Sequence, residues 1–183
     1  MENLPTGSRT HTIRRADVKD LSEIYRMQNV QFRDKVFIEP MPSLDDFVKY
    51  TSRTIEAGYE HYYVEEDELG VVVGFIRYLK KDDWEALTWG KWLNTLVYAS
   101  CYVGFDILNM PKLHFAVRDE NKRVFHLYRK FGFRKLGQEF ICYRKHLLAP
   151  IQTTGLTHYE LTAEEYREKC EMMIKNSLAL RFA

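Results

Sequence analysis

Residues 112–133 constrain the fold more than any other segment, because they change from a strand pattern to a helix pattern within a few residues. Over 112–117, apolar Leu113, Phe115 and Val117 alternate with His114 and Ala116. Strict alternation of this kind predicts a β-strand. From residue 124, apolar residues fall at i, i+3, i+4 and i+7, which predicts a short amphipathic helix. They are Val124, Leu127, Tyr128 and Phe131.

The residues between and after these two elements predict where the helix begins and ends. Asp119 and Asn121 precede the helix, and either side chain type can cap a helix N-terminus. Gly132 follows the last apolar position, where a residue in the left-handed conformation commonly ends a helix. Phe133 can then fold back onto the last helical turn. The segment therefore predicts a strand, a short turn, a helix, a glycine stop and a further strand.

Two polar residues of this segment, Asn121 and Tyr128, are seven residues apart and so share one helix face. Singly, each has an ordinary explanation as a helix cap or as part of a core. Together, an asparagine, a basic residue, a small residue, a Leu-Tyr pair and a Gly-Phe pair resemble the signature of the GNAT superfamily of acetyl-CoA-dependent N-acetyltransferases. Val124 departs mildly from that signature, which usually has alanine there. The signature residues are Asn121, Arg123, Val124, Leu127, Tyr128, Gly132 and Phe133.

The order of predicted elements also resembles the GNAT order, from about residue 11 to residue 161. The resemblance implies an α+β protein with the GNAT fold, in which a mixed central sheet with splayed fourth and fifth strands is flanked by helices. Residues 29–43 are predicted to be a loop, as are 147–155. The predicted strands are 11–15, 61–65, 71–79, 84–89, 112–117, 134–146 and 156–161, and further helices begin at 16, 43, 95 and 162.

Length and composition limit the classes of protein that fit. The 183 residues predict a single domain, 1–183, with a loose tail at 1–9 and a C-terminal helix at 162–183. A net charge of +1 argues against a nucleic-acid partner, which requires excess positive charge. No apolar run is long enough to cross a bilayer or to form a signal peptide. Three dispersed cysteines predict reduced thiols in a cytoplasmic protein.

The resemblance also implies roles for particular residues. It places Asn121 and Arg123 with the cosubstrate, Asn121 on the pantetheine arm, and makes Tyr128 the proton donor to the coenzyme A sulfur. Glu85, in the fourth strand, is the candidate base for the amine. His114 and His126 are further titratable groups near the splayed strands, with a suitable intrinsic pKa. No metal site is predicted.

The phosphate-binding loop of the family corresponds to the segment from Gly90 to Thr95, where backbone N–H groups and the helix dipole would hold the pyrophosphate. Two residues stand where the family usually has glycine or alanine, and a bulky tryptophan is unfavourable where backbone must approach phosphate. The residues of the loop are Gly90, Lys91, Trp92, Leu93, Asn94 and Thr95, with Trp92 and Asn94 at the glycine positions.

The function is left open among three hypotheses. The first is acetylation of a primary amine of a small molecule, such as an amino sugar, since the long first loop and the C-terminal helix look like the branch with amino-sugar-nucleotide and ribosomal-protein acetyltransferases. The second is acetylation of a protein N-terminus or lysine. The third is a coenzyme A-binding or interaction module with impaired catalysis. No membrane partner is predicted, and a homodimer is allowed. Charged residues that can meet the acceptor are Arg33, Lys35, Glu39, Asp45 and Arg144.

Overall fold

The computed structural model describes residues 11–34, 42–90, 93–143, 150–177 and 180–182. Side chains are described within these ranges except at 30–34, 89, 93–94, 143, 175–177 and 180–182. The predicted tail at 1–9 lies outside the described residues. In the described part of the chain, no helix is both long enough and apolar enough to span a membrane.

Eight strands and six α-helices make up the described structure. The strands are β1 (His11–Arg15), β2 (Glu60–Glu66), β3 (Val72–Lys80), β4 (Trp84–Gly90), β5 (Lys112–Arg118), β6 (Arg134–Tyr143), β7 (Gln152–Thr162) and β8 (Leu180–Phe182). The helices are α1 (Leu21–Asp34), α2 (Leu44–Glu56), α3 (Leu93–Tyr102), α4 (Lys122–Lys130), α5 (Ala163–Lys169) and α6 (Glu171–Ser177). A 3-10 turn, Val18–Asp20, precedes α1, and a π-helical turn, Val103–Ile107, continues α3.

The strands form one mixed sheet in the order β6-β7-β5-β4-β3-β2-β1-β8. The β4–β5 and β1–β8 neighbours are parallel, and the other neighbouring strands are antiparallel. The predicted mixed sheet of an α+β protein is therefore confirmed. The predicted strands agree with β1 to β5 to within one residue at each end.

Helices cover the sheet on both faces, because successive residues of a strand point to opposite faces. On one face, here called the α3–α6 face, Tyr63, Ile76 and Phe115 pack with apolar side chains of α3, α4, α5 and α6. On the other, the α1–α2 face, Tyr62 and Phe75 pack with side chains of α1 and α2. Between these two layers, the sheet itself opens at β4 and β5.

Three predicted segments differ from the structure. Residues 29–34 continue α1 instead of forming a loop, because no glycine or proline interrupts that stretch before Pro40. Residues 152–155 belong to β7, where pairing with β6 extends the strand through Gly155. The C-terminal segment is not one helix: α5 and α6 are separated at Cys170, and Leu180–Phe182 pairs with β1 as a parallel strand.

The predicted end of the central helix is confirmed. Gly132 has a φ of 72°, in the left-handed region that glycine adopts at little cost. The backbone N–H of Phe133 donates to the carbonyl of Tyr128 across 2.9 Å, as expected for a residue that folds back onto the last turn. This stop brings Phe133 against the ring of Tyr128.

Candidate active site

The sheet opens between β4 and β5. β4 is paired with β3 along its whole length, from Trp84 to Gly90, but it is paired with β5 only between Glu85 and His114. Beyond that pair, the two parallel strands diverge toward their C-terminal ends. The backbone N–H and C=O groups on the facing edges are therefore not paired with each other there, and they can bind a ligand that lies in the gap.

Tyr128 lies beside this gap on the α3–α6 face. Its side chain is almost completely buried, stacks on Phe133 with ring centroids 4.4 Å apart, and contacts Phe115 of β5 at 5.4 Å. Burial raises the pKa of the Tyr128 phenol well above its ordinary value. The phenol therefore keeps its proton at neutral pH, which is the state that a proton donor requires.

Asn121 occupies the N-cap position of α4, but its side chain makes no capping hydrogen bond. The exposed amide therefore remains able to bind a ligand. The other predicted cap, Asp119, instead accepts hydrogen bonds from Gln138 Nε2 at 2.6 Å and from Thr157 Oγ1 at 3.1 Å. The backbone N–H of Asp119 also donates to the carbonyl of Gly155. These bonds hold the β5–α4 turn against β6 and β7. Arg123, in the first turn of α4, is exposed.

Glu85 and His114 lie at the closed end of the gap. Phe115 points to the α3–α6 face, so its neighbour His114 points to the α1–α2 face, and the register places Glu85 beside His114. The Glu85 carboxylate is 2.9 Å from Lys81 Nζ. His114 Nε2 is 2.6 Å from the carboxylate of Glu160 on β7.

The structure gives the two candidate histidines different positions. His126 is exposed on α4, whereas the buried residues of that helix, which include Tyr128, face the sheet. His114 is held by Glu160, a residue that sequence reasoning missed. The signal available for Glu160 is its charge between Tyr159 and Leu161 in a strand pattern, but its pairing with His114 depends on the alignment of β5 with β7.

The predicted phosphate loop is shorter than expected. The turn was predicted at Gly90–Asn94, with a helix from Thr95, but Gly90 is the last residue of β4 and α3 begins at Leu93. Pairing of Gly90 with Gly74 extends the strand. Lys91 and Trp92 lie outside the described residues. Leu93, Asn94 and Thr95 form the first turn of α3, whose N–H groups have no acceptor within the helix.

The comparisons with known proteins rest on structure alone. No protein-family model matches the chain, and a search of curated protein sequences found no match. Spermidine N-acetyltransferase from Vibrio cholerae, in complex with CoA and spermine, superposes with a TM-score of 0.70 at 21% identity, over 86% of this chain and 98% of that chain. A dodecameric structure of that enzyme gives a TM-score of 0.70 at 20% identity, over 87% and 98% of the two chains.

The chain has the GNAT fold. The superposition covers most of both chains, and the opening between β4 and β5 is the predicted splay of the fourth and fifth strands. Within this GNAT fold, the gap has Tyr128 on one face and Glu85 with His114 on the other, and the N-terminus of α3 follows β4 at the wide end. The superposition on spermidine N-acetyltransferase does not test the likeness to the amino-sugar-nucleotide and ribosomal-protein branch, so that finer resemblance stays a prediction.

Proposed function

We propose that the protein is an acetyl-CoA-dependent N-acetyltransferase that acts on a primary amine of a small molecule. The observation that carries the proposal is the gap between β4 and β5, joined only at Glu85 and His114, with the protonated phenol of Tyr128 packed beside it. The fold that the chain shares with spermidine N-acetyltransferase supports the same reaction class, although a fold alone does not determine a function.

The residues around the gap fit acetyl-CoA. The unpaired backbone edges of β4 and β5 can bind the amides of the pantetheine arm, and the amide of Asn121 can both donate and accept there. The first turn of α3 can bind the pyrophosphate, and Arg123 can add positive charge from α4. The phosphate loop predicted from the family resemblance is Gly90, Lys91, Trp92, Leu93, Asn94 and Thr95. Acetyl-CoA supplies an activated acetyl group as a thioester.

The chemistry needs a proton donor for the leaving thiolate and a proton acceptor for the amine. Tyr128 fits the first role because its phenol is protonated and polar at the tip of a buried ring. Glu85 is the predicted proton acceptor, and its side chain is partly exposed beside the closed end of the gap. Its carboxylate already forms an ion pair with Lys81, whose Nζ is 2.9 Å away.

Three classes of amine acceptor are candidates. An amino sugar is the acceptor predicted from the sequence, and a polyamine is the one suggested by the solved structure with spermine. Protein N-termini and lysines remain the alternative. Of the charged residues predicted to meet the acceptor, Asp45 is exposed in α2. The side chain of Arg33 and the residues Lys35, Glu39 and Arg144 lie outside what the structure describes.

The proposal is tested by calorimetric titration of the purified protein with acetyl-CoA and with free coenzyme A. The expected result is binding at micromolar concentration, followed by acetylation of at least one amine in a panel of spermidine, spermine, an amino-sugar nucleotide and a short peptide. Absence of binding at millimolar ligand contradicts the proposal and favours an interaction module. A third outcome is weak binding of coenzyme A because the Trp92 side chain obstructs the phosphate loop. In that case, Trp92→Gly binds coenzyme A more tightly than the wild type does.

A further inference from the structure

His114 and Glu160 form a hydrogen-bonded pair at the point where β4 and β5 separate. The distance from His114 Nε2 to Glu160 Oε2 is 2.6 Å. Glu160 is 5% exposed, so its carboxylate is almost completely removed from water while the imidazole remains partly exposed. A buried acid that holds an accessible imidazole is an arrangement that orients a general base.

The protonation state of Glu160 follows from its neighbours. Burial alone would raise its pKa, but hydrogen bonds from Arg134 and His114 outweigh burial and hold the pKa below its ordinary value. Glu160 is therefore a carboxylate at neutral pH and can only accept hydrogen bonds. The neutral imidazole of His114 must then carry its proton on Nε2, which leaves the lone pair on Nδ1 available.

Other charged groups around His114 are paired with one another. Lys112 Nζ is 2.6 Å from Asp83 and 3.8 Å from Glu160, and Asp83 is 3.9 Å from His114 Nε2. On the β4 side, Glu85 is paired with Lys81. On the β6 side, Arg134 donates to Glu160. In the part of the chain that the structure describes, no residue bonds to His114 Nδ1.

The position of His114 relative to the gap decides its use. If the pyrophosphate lies at the N-terminus of α3, at the wide end, the pantetheine arm runs along the gap toward its closed end. That end is the Glu85–His114 pair. His114 points to the α1–α2 face there, opposite Tyr128. An amine that approaches from the α1–α2 face therefore meets His114 before it reaches the thioester.

We propose that His114 is the general base of the acetyl transfer and that Glu160 is its positioning residue, which rests on the proposed N-acetyltransferase function. His114 Nδ1 takes one proton from the acceptor ammonium and passes it to solvent. The neutral amine nitrogen attacks the thioester carbon, so that a C–N bond forms and the C–S bond breaks. The departing thiolate takes the proton of Tyr128, and a proton from the new amide nitrogen restores the phenol.

The test compares the pH dependence of kcat/KM in the wild type with three variants, using the amine that the panel identifies. His114→Gln keeps a side-chain N–H for Glu160 but removes the base. We expect it to lower kcat/KM by about 10²-fold or more near neutral pH, with a loss that shrinks as pH approaches the pKa of the free amine. A structural defect would not shrink in that way.

The other two variants separate position from chemistry. Glu160→Gln is expected to lower kcat/KM and to weaken the preference for the Nε2–H tautomer of His114, because an amide can donate to Nε2 as well as accept from it. His158→Gln is the matched control, since His158 Nε2 bonds to Glu139 at 3.0 Å on the same sheet face but on β7, one strand further from the gap. It is expected to leave the profile unchanged.

A readout that does not depend on turnover is the ¹⁵N chemical shifts of the His114 imidazole in the ligand-free protein. The Nε2–H tautomer is expected in the wild type, and an Nδ1–H tautomer would overturn the proposal. The proposal would also be overturned if His114→Gln kept the wild-type pH dependence of kcat/KM, or if Glu85→Gln were the one variant to lose the acidic limb of that pH profile. Either result would leave the acetyltransferase function intact. A wild type that acetylates no amine would instead contradict the proposed function.

Discussion

At the scale of a single residue, Tyr128 offers the sharpest test of the acetyl transfer. Its ring packs against Phe115, Phe133 and Tyr159, but its hydroxyl makes no hydrogen bond to the described residues. Tyr128→Phe therefore preserves the packing and removes only the proton donor. We expect kcat to fall by roughly 10²–10⁴-fold, with little change in the affinity for acetyl-CoA measured by calorimetry.

The neighbouring tyrosine provides the control for this variant. The ring of Tyr159 lies 5.1 Å from that of Tyr128, in the same aromatic cluster, so Tyr159→Phe removes a hydroxyl from this cluster without removing the candidate acid. It is expected to retain kcat close to the wild-type value. Unchanged turnover in Tyr128→Phe would show that another group protonates the thiolate.

Glu65 predicts how stability depends on pH. It is fully buried on β2, and burial raises its pKa from 4.5 to about 8; His11 Nδ1, the titratable group beside it, is 3.3 Å away. Between pH 4.5 and about pH 8, the native state therefore binds more protons at Glu65 than the unfolded state does. The free energy of unfolding falls as pH rises through this range. We expect the wild-type Tm to fall between pH 5 and pH 8, by roughly 2–4 °C per kcal/mol lost.

Glu65→Gln removes this titration and is expected to give a flatter curve of Tm against pH, measured by differential scanning calorimetry. Glu68→Gln, at an exposed position of the β2–β3 turn, is the matched control and should follow the wild-type curve. An equally steep fall in Glu65→Gln would assign the pH dependence to other groups.

At the scale of elements, the end of β4 depends on the absence of a side chain at Gly90. A Cβ atom there would lie 2.6 Å from Gly74 Cα and 2.6 Å from Leu96 Cδ1. Gly90→Ala is therefore expected to lower the free energy of unfolding by about 1–3 kcal/mol, measured by urea denaturation. Gly137→Ala on β6 is the control, because its Cβ would meet nothing within 4 Å; equal effects in both variants would contradict this reasoning.

Local sequence patterns predicted the elements better than they predicted the site. Alternation and helical spacing identified β5 and α4, and Gly132 marked the helix end correctly. The strand at Leu180–Phe182 could not be predicted, because it forms by pairing with β1 at the other end of the chain. The His114–Glu160 contact likewise depends on the register between β5 and β7, which no local pattern encodes.

At the scale of the whole molecule, the sheet consists of two parts joined weakly. Strands β8, β1, β2, β3 and β4 form one part and β5, β7 and β6 the other, and a single backbone pair connects them. Packing of α3 against the C-terminal end of α4 adds to the connection: the ring centroids of Tyr98 and of Phe131, the C-cap residue of α4, are 4.9 Å apart. A ligand that bonds to both edges of the gap would tie the two parts together.

Acetyl-CoA is therefore expected to stabilise the protein against heat. A ligand that binds only the native state at 100 times its Kd adds about 2.7 kcal/mol, which corresponds to a rise in Tm of roughly 5–11 °C for a chain of this size. Asn121→Ala should reduce the rise by weakening the contact with the pantetheine arm. Arg129→Ala, at an exposed position in the last turn of the same helix, should not. A Tm that acetyl-CoA leaves unchanged would mean that the gap does not bind it.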